Sequence, residues 1–220
     1  MNYFQLLEKL DGLYDSLEGK ELSSQAIVSK LNRAIPFKEC RVRHIDSLSA
    51  NNNMMVSGMY EPDLDEEKKP CIEIEVMFPK RRPKSTFEFS VDDLDRPQWR
   101  ELCTDIASVL GHEYVHLHQF RKRGFRDGRY YTSYHSSASV RENQEYFGIP
   151  DEVDAYAFTC AVSMCEDFPG PAVRMEDTII FQIYANLFDK NDKVVVKLRK
   201  LATKYFKRLE RQYHANNRPR

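Results

Sequence analysis

The chain has 220 residues, a formal net charge of −1 at pH 7, 41% hydrophobic residues and 12% aromatic residues. This composition excludes an intrinsically disordered chain, and the balanced charge gives no reason to expect a strongly charged partner. No apolar run has membrane-spanning length, the N-terminal stretch lacks a signal-peptide core, and the five cysteines lack C-x-x-C spacing, so we expect a cytoplasmic protein with reduced thiols and no membrane partner.

The N-terminal part of the sequence predicts two amphipathic helices. They cover residues 2–18 and 23–35, and Pro36 ends the second because proline cannot continue a helix. A β-rich block follows, in which apolar and polar residues alternate. It predicts four strands, at 41–45, 54–60, 71–78 and 86–91.

Two pairings are expected among these strands. The second strand is a plausible partner of the first, and the acidic link 61–67 predicts a hairpin between the second and third. The third strand alternates most strictly, with four apolar residues on one side and polar residues on the other.

A long helix is predicted next. Asp95 is a candidate N-cap, Pro97 suits the first turn, and the basic residues before Gly124 are typical of a helix end. The apolar residues between these ends recur at helical spacing: Leu102, Ile106, Val109, Leu110, Leu117 and Phe120.

This helix contains the motif His112-Glu113-Tyr114-Val115-His116. Two histidines four residues apart lie on one helix face, one turn apart, so both imidazoles can reach the same metal ion. Glu113 projects to the side, where it can accept a proton from an attacking water. Two imidazoles with a further protein ligand suit zinc, so the motif predicts a Zn²⁺ site with one ion per chain.

The remainder of the chain is predicted to be a connection over 125–149 and three helices, over 151–167, 171–189 and 192–213. Strands followed by a motif helix and a helical remainder indicate an α+β fold. We interpret the chain as one domain, 1–220, with four parts: N-terminal helices at 1–36, the sheet and motif helix at 37–124, a mobile connection at 125–149, and a helical part at 150–220.

A third metal ligand should come from another element. Pro150 followed by two acids suits the first turn of a helix, where the helix dipole favours carboxylates. Glu152 is one candidate there. Asp154 is an alternative, but it lies about 200° round the helix from Glu152, so only one of them can face the metal. His135, in the connection, is a second alternative.

An H-E-x-x-H motif followed by Glu on a second helix resembles the gluzincin group of zincin metallopeptidases, and also the small metallopeptidase-like proteins of phages. The second helix of gluzincins often reads E-x-x-A-D or E-x-x-A-N, and the segment from Glu152 to Tyr156 matches the Glu and the Ala. The resemblance covers about a fifth of the chain. It implies Glu152 as third ligand. It also implies an Asp or Asn at the position of Tyr156, which would orient a zinc-binding histidine, and in this chain Asp154 or Asp105 would have to take over that role.

The resemblance also implies a zincin-like fold with a small, mostly antiparallel sheet. It further implies a zinc-dependent endopeptidase that acts on protein or peptide substrates. In zincins an edge strand borders the substrate cleft, and strand 71–78 is the candidate for it. Candidate groups for stabilising the oxyanion lie on the connection: Tyr130, Tyr131, Tyr134 and His135.

Two other functions remain open at this point. A zincin-like protein without activity would use the metal for stability or binding alone, although the presence of Glu113 argues against it. A SprT-like, DNA-associated protease would use His135 as third ligand. Locally basic segments at 80–84, at 121–129 and in the last helix make nucleic acid a further candidate partner.

Overall fold

The computed structural model describes residues 2–18, 20, 22–46, 55–61, 71–78, 95–124 and 139–217. These ranges form an α+β structure with a small mixed sheet and a mostly helical remainder. In chain order the elements are α1 Tyr3–Asp11, α2 Tyr14–Leu17, α3 Ser24–Ala34, β1 Cys40–Asp46, β2 Met55–Glu61, β3 Cys71–Phe78, α4 Arg96–Lys122, α5 Val140–Phe147, α6 Pro150–Ser163, α7 Ile179–Leu187 and α8 Lys193–Asn216.

The described chain divides into two compact units, Met1–Glu113 and Tyr114–Arg220. The boundary falls within helix α4, whose backbone is continuous from Arg96 to Lys122. No helix in the described ranges is both long enough and apolar enough to cross a membrane.

The three described strands have the order β1-β3-β2. β2 pairs with β3 antiparallel, as the hairpin prediction requires, whereas β1 pairs with β3 parallel. The described strands therefore form a mixed sheet and not the mostly antiparallel one that the sequence predicts, because β1 runs beside β3 in the same direction. The predicted fourth strand, 86–91, lies outside the described residues.

The prediction that 71–78 borders a cleft as an edge strand is also wrong. β3 is the central strand, with backbone partners on both sides. The physical reason is that every residue on one face of β3 is a large apolar residue. Such a strand gains most free energy from the central position, where this face is fully buried. The residues of this face are at most 4% exposed: Ile72, Ile74, Val76 and Phe78.

The first unit packs α1 and the beginning of α4 together. The side chain of Trp99 is fully buried and donates a hydrogen bond to the carbonyl oxygen of Leu10 at 3.3 Å. Arg96 forms ion pairs with Asp11 at 3.1 Å and with Asp15 at 2.6 Å. The single helix predicted over 2–18 is interrupted at Gly12, which ends α1 and has a low helix propensity.

Helix α4 has the predicted ends. The Asp95 carboxylate accepts a hydrogen bond from the Gln98 backbone N–H at 2.8 Å, and the Gln98 side chain accepts one from the Asp95 N–H at 3.2 Å, which together form a reciprocal N-terminal cap. The helix ends at Lys122, and Gly124 has a φ of 67°, a conformation that favours glycine. Every residue of the predicted apolar stripe on α4 except Val109 is at most 2% exposed.

The second unit consists of helices. α6 packs against α8, and a cluster of buried side chains joins α5, α6, α7 and α8. α5 lies within 125–149, where the sequence predicts a mobile connection and no helix. Ser139 caps α5, and Glu142 completes a capping box, which is an S-x-x-E signal that is present in the sequence.

The ends of the last helices differ from the predictions. α6 ends at Ser163, and α7 begins only at Ile179, because Pro169, Gly170 and Pro171 cannot continue a helix without cost. The cysteines with described side chains are free, and all of them except Cys40 are buried. Burial raises the pKa of the Cys165 thiol to about 12, so the thiol is uncharged at neutral pH.

Candidate metal centre

Helices α4 and α6 bring three potential metal ligands together. His112 and His116 lie one turn apart on α4, and Glu152 lies in the first turn of α6. One ligand atom from each of the three lies within 4.8 Å of the others. Nε2 of His116 is 3.6 Å from Oε1 of Glu152. The side chain of His116 is 16% exposed and that of Glu152 is 14% exposed.

The position of Glu152 follows from how α6 begins. Pro150 occupies the first turn, where its missing N–H costs nothing, and Asp151 and Glu152 lie where the helix dipole favours negative charge. Asp151 also pairs with Arg123, at the end of α4, at 2.5 Å. The first turn of α6 is therefore fixed to the end of α4, within the same unit as His116.

Tyr146 on α5 is a neighbour of Glu152 that the sequence did not point to. Its side chain hydrogen-bonds to Glu152 and to Tyr156. Burial raises the pKa of the Tyr146 phenol, and the nearby Tyr156 and Glu152 raise it further, so the phenol remains a hydrogen-bond donor. A phenol O–H beside a carboxylate restrains the carboxylate in one orientation.

His116 has a hydrogen-bond partner on its other ring nitrogen. Nδ1 of His116 lies 3.1 Å from Oε1 of Gln119, one turn further along α4. The Gln119 amide nitrogen donates to the backbone carbonyl of Asp151 at 3.1 Å and to Oδ2 of Asp154 at 3.2 Å. Nε2 of His116 is thus directed toward Glu152.

Asp154, the alternative third ligand, has a different environment from Glu152. Its two carboxylate oxygens accept hydrogen bonds from the Gln119 amide and, at 3.0 Å, from the Tyr205 hydroxyl on α8. It is not part of the ligand cluster found among the described residues. The two acids lie two residues apart on α6, and the structure directs them to different partners.

Glu113, the candidate general base, is buried beside the sheet. It is 7% exposed, in contrast to the histidines on either side of it, which are partly buried. β2 passes close to it at Gly58, where a Cβ atom would lie 2.3 Å from Cγ1 of Val109 and 3.2 Å from Oε1 of Glu113. Glycine is therefore the residue that lets β2 approach this face of α4.

Tyr156, which stands where the resemblance to gluzincins implies Asp or Asn, belongs to an aromatic cluster. Its ring centroid lies 5.1 Å from that of Phe147 and 6.1 Å from that of Tyr184. Tyr184 is fully buried. Tyr156 therefore packs between helices of the second unit, and the polar contact to His116 comes from Gln119.

The remaining candidate residues lie in two places. The described ranges do not include the candidate oxyanion groups and the alternative ligand on the connection: Tyr130, Tyr131, Tyr134 and His135. His118 is exposed, as its position on the far side of α4 predicts, and partial desolvation of its ring together with nearby cations lowers its pKa. Asp105 is exposed on α4.

Comparison of the chain with known proteins gives no relative. No protein-family model, no curated protein and no solved structure matches it.

Proposed function

We propose that the chain is a zinc-dependent peptidase whose metal is held by His112, His116 and Glu152. The observation that carries this proposal is the convergence of two imidazoles and one carboxylate within 4.8 Å, with Glu113 next to His112 in the same helix. A purely structural metal site has no need for an acid at that position, whereas a hydrolytic site does.

The donor set fits zinc. Two imidazole nitrogens and one carboxylate oxygen match a catalytic zinc site, which leaves a fourth position for water or substrate. Bonds of about 2.0–2.2 Å in tetrahedral geometry separate two ligand atoms by about 3.4 Å. The 3.6 Å between His116 and Glu152 is close to that separation. When bound, zinc supplies Lewis acidity, which makes water a better nucleophile and a substrate carbonyl a better electrophile.

The residues of the chain have distinct tasks in this proposal. Glu113 accepts the proton of the attacking water and passes it to the leaving amine. Its burial beneath β2 limits the positions that its carboxylate can take, which favours proton transfer along one path. Tyr146 holds the Glu152 carboxylate by a hydrogen bond.

Metal analysis combined with an activity assay tests the proposal. The wild type and Glu113→Gln should contain equal amounts of zinc, and the wild type alone should cleave casein or a peptide library. Removing a general base lowers the rate by about 10²–10⁴-fold. A wild type that contains zinc and cleaves no peptide would instead support a zincin-like protein that binds without catalysis.

Contact with nucleic acid is a second candidate function, which the charge of α8 favours. Its exposed residues include seven basic side chains, and its only acid, Glu210, is partly buried. The seven are Lys193, Lys197, Lys200, Lys204, Lys207, Arg208 and Arg211. Basic rows of this kind bind phosphates with a strong salt dependence. Retention on a DNA column that salt abolishes would support this function, and no retention at low salt would exclude it.

A further inference from the structure

The ring of His116 is connected to α8 by three successive hydrogen bonds. The Tyr205 hydroxyl donates to Asp154 at 3.0 Å, and the Gln119 side-chain nitrogen donates to Asp154 at 3.2 Å. The Gln119 side-chain oxygen, Oε1, lies 3.1 Å from Nδ1 of His116. All four residues belong to the second unit, on α8, α6 and α4. We name the first three residues, Tyr205, Asp154 and Gln119, the histidine relay.

The orientation of the Gln119 amide follows from its surroundings. Its nitrogen faces two acceptors, the carbonyl oxygen of Asp151 and Oδ2 of Asp154. A flipped amide would direct its oxygen at those two acceptors and lose both bonds. The amide oxygen must therefore face His116, and because this oxygen can only accept, Nδ1 of His116 must carry the proton.

The other ring nitrogen, Nε2, lies near Glu152. Nε2 of His116 and Oε1 of Glu152 are 3.6 Å apart, which is too long for a hydrogen bond. Nδ1 and Gln119, at 3.1 Å, are within range. A neutral ring with its proton on Nδ1 has a lone pair on Nε2, which is the form that binds a metal ion.

We propose that the histidine relay fixes the tautomer and the ring orientation of His116, so that an unprotonated Nε2 faces Glu152. Tyr205, Asp154 and Gln119 are positioning residues, and they act through His116. Asp154 thereby takes the role that Tyr156 cannot fill, with Gln119 as intermediary and Tyr205 as support from the last helix. The role of this tautomer in metal binding rests on the proposed function. The tautomer itself follows from the hydrogen bonds of Gln119, which do not require a bound metal.

The first test uses metal-free protein. ¹⁵N chemical shifts of the His116 imidazole, recorded at a pH at which the ring is neutral, report which nitrogen is protonated. The wild type should carry the proton on Nδ1, and Gln119→Leu should shift it toward Nε2. A proton on Nε2 in the wild type would overturn the relay. Since no metal is present, this result is separate from the success or failure of the proposed function.

The second test measures zinc affinity by chelator competition. Loss of an outer hydrogen bond to a metal ligand weakens binding by about 10–100-fold, and we expect this for Gln119→Leu. Tyr205→Phe should weaken binding less, because two hydrogen bonds of the relay remain. In the double variant, Tyr205→Phe should cause no further loss of zinc affinity, because the hydrogen bond between Gln119 and His116 is already absent.

The controls keep this test decisive. Tyr213→Phe removes a hydroxyl from the same helix, two turns beyond Tyr205, and should bind zinc like the wild type. If Gln119→Leu does not fold, the zinc affinity of Tyr205→Phe tests the relay by itself. This variant should fold, because the phenylalanine ring can keep the edge-on contact with Phe158, whose centroid lies 5.6 Å from that of Tyr205. Wild-type zinc affinity in Tyr205→Phe, or additive losses in the double variant, would overturn the relay.

Discussion

Gly58→Ala tests how closely β2 approaches the helix that carries Glu113. The new Cβ would lie 2.3 Å from Cγ1 of Val109, whereas carbon atoms in contact are ordinarily about 3.5–4.0 Å apart. The strand or the helix must therefore shift by more than about 1 Å. Overpacking of this kind costs about 1–3 kcal/mol, which corresponds to a fall in the thermal midpoint of about 2–12 °C for a chain of this size.

The same substitution also acts on the candidate base. The Cβ would be 3.1 Å from Cγ and 3.2 Å from Oε1 of Glu113, so the carboxylate has to move by a few tenths of an ångström. Peptide cleavage should fall while zinc content stays at the wild-type level. Thermal unfolding by circular dichroism and metal analysis of the same preparations give both readouts.

Val109→Ala provides the matched control for Gly58→Ala. It removes the atom in the 2.3 Å contact and leaves the contact with Glu113 in place. The double variant should therefore be more stable than the sum of the two single effects predicts, but its activity should remain low. If Gly58→Ala unfolds at the wild-type midpoint, the reasoning about this close approach is refuted.

Three further predictions concern the helices and ligands of the site. Asp95→Ala removes the cap of α4 and should lower the free energy of unfolding by about 1 kcal/mol in denaturant titrations; an unchanged value would show that the cap contributes nothing. Tyr146→Phe removes the hydrogen bond to Glu152 and should weaken zinc binding by up to about tenfold in chelator competition, whereas tight binding would show that Glu152 is held by other groups. A chelator should lower the thermal midpoint of the wild type, because a ligand that binds the folded state stabilises it by about 2.7 kcal/mol at one hundred times its dissociation constant; the midpoint of Glu152→Ala should not respond.

The sequence predicted those features that local patterns determine. The ends of α4, the positions of the three described strands, the hairpin of β2 with β3 and the meeting of His112, His116 and Glu152 all follow from spacing, capping residues or the resemblance. The sheet order did not follow, because alternation shows which residues face the core and leaves open which strand lies in the centre.

The contacts around the ligands were harder to predict. Gln119 lies one turn after His116 on the same helix, a spacing that could have been recognised as a candidate contact. Tyr205 lies 51 residues from Asp154 in the chain, and nothing in the local sequence links them. Such partners depend on how α6 and α8 pack, and a single sequence does not contain that information.

The zinc content of purified wild-type protein and of Glu152→Ala, measured by mass spectrometry of the metal, tests the central claim most directly. The account predicts about one zinc per chain in the wild type and a large loss in Glu152→Ala, because two histidines alone bind zinc weakly. Asp154→Ala, its matched control on α6, should lower the affinity and still bind zinc when the metal is in excess. A wild type without zinc, or equal zinc in Glu152→Ala, would contradict the account.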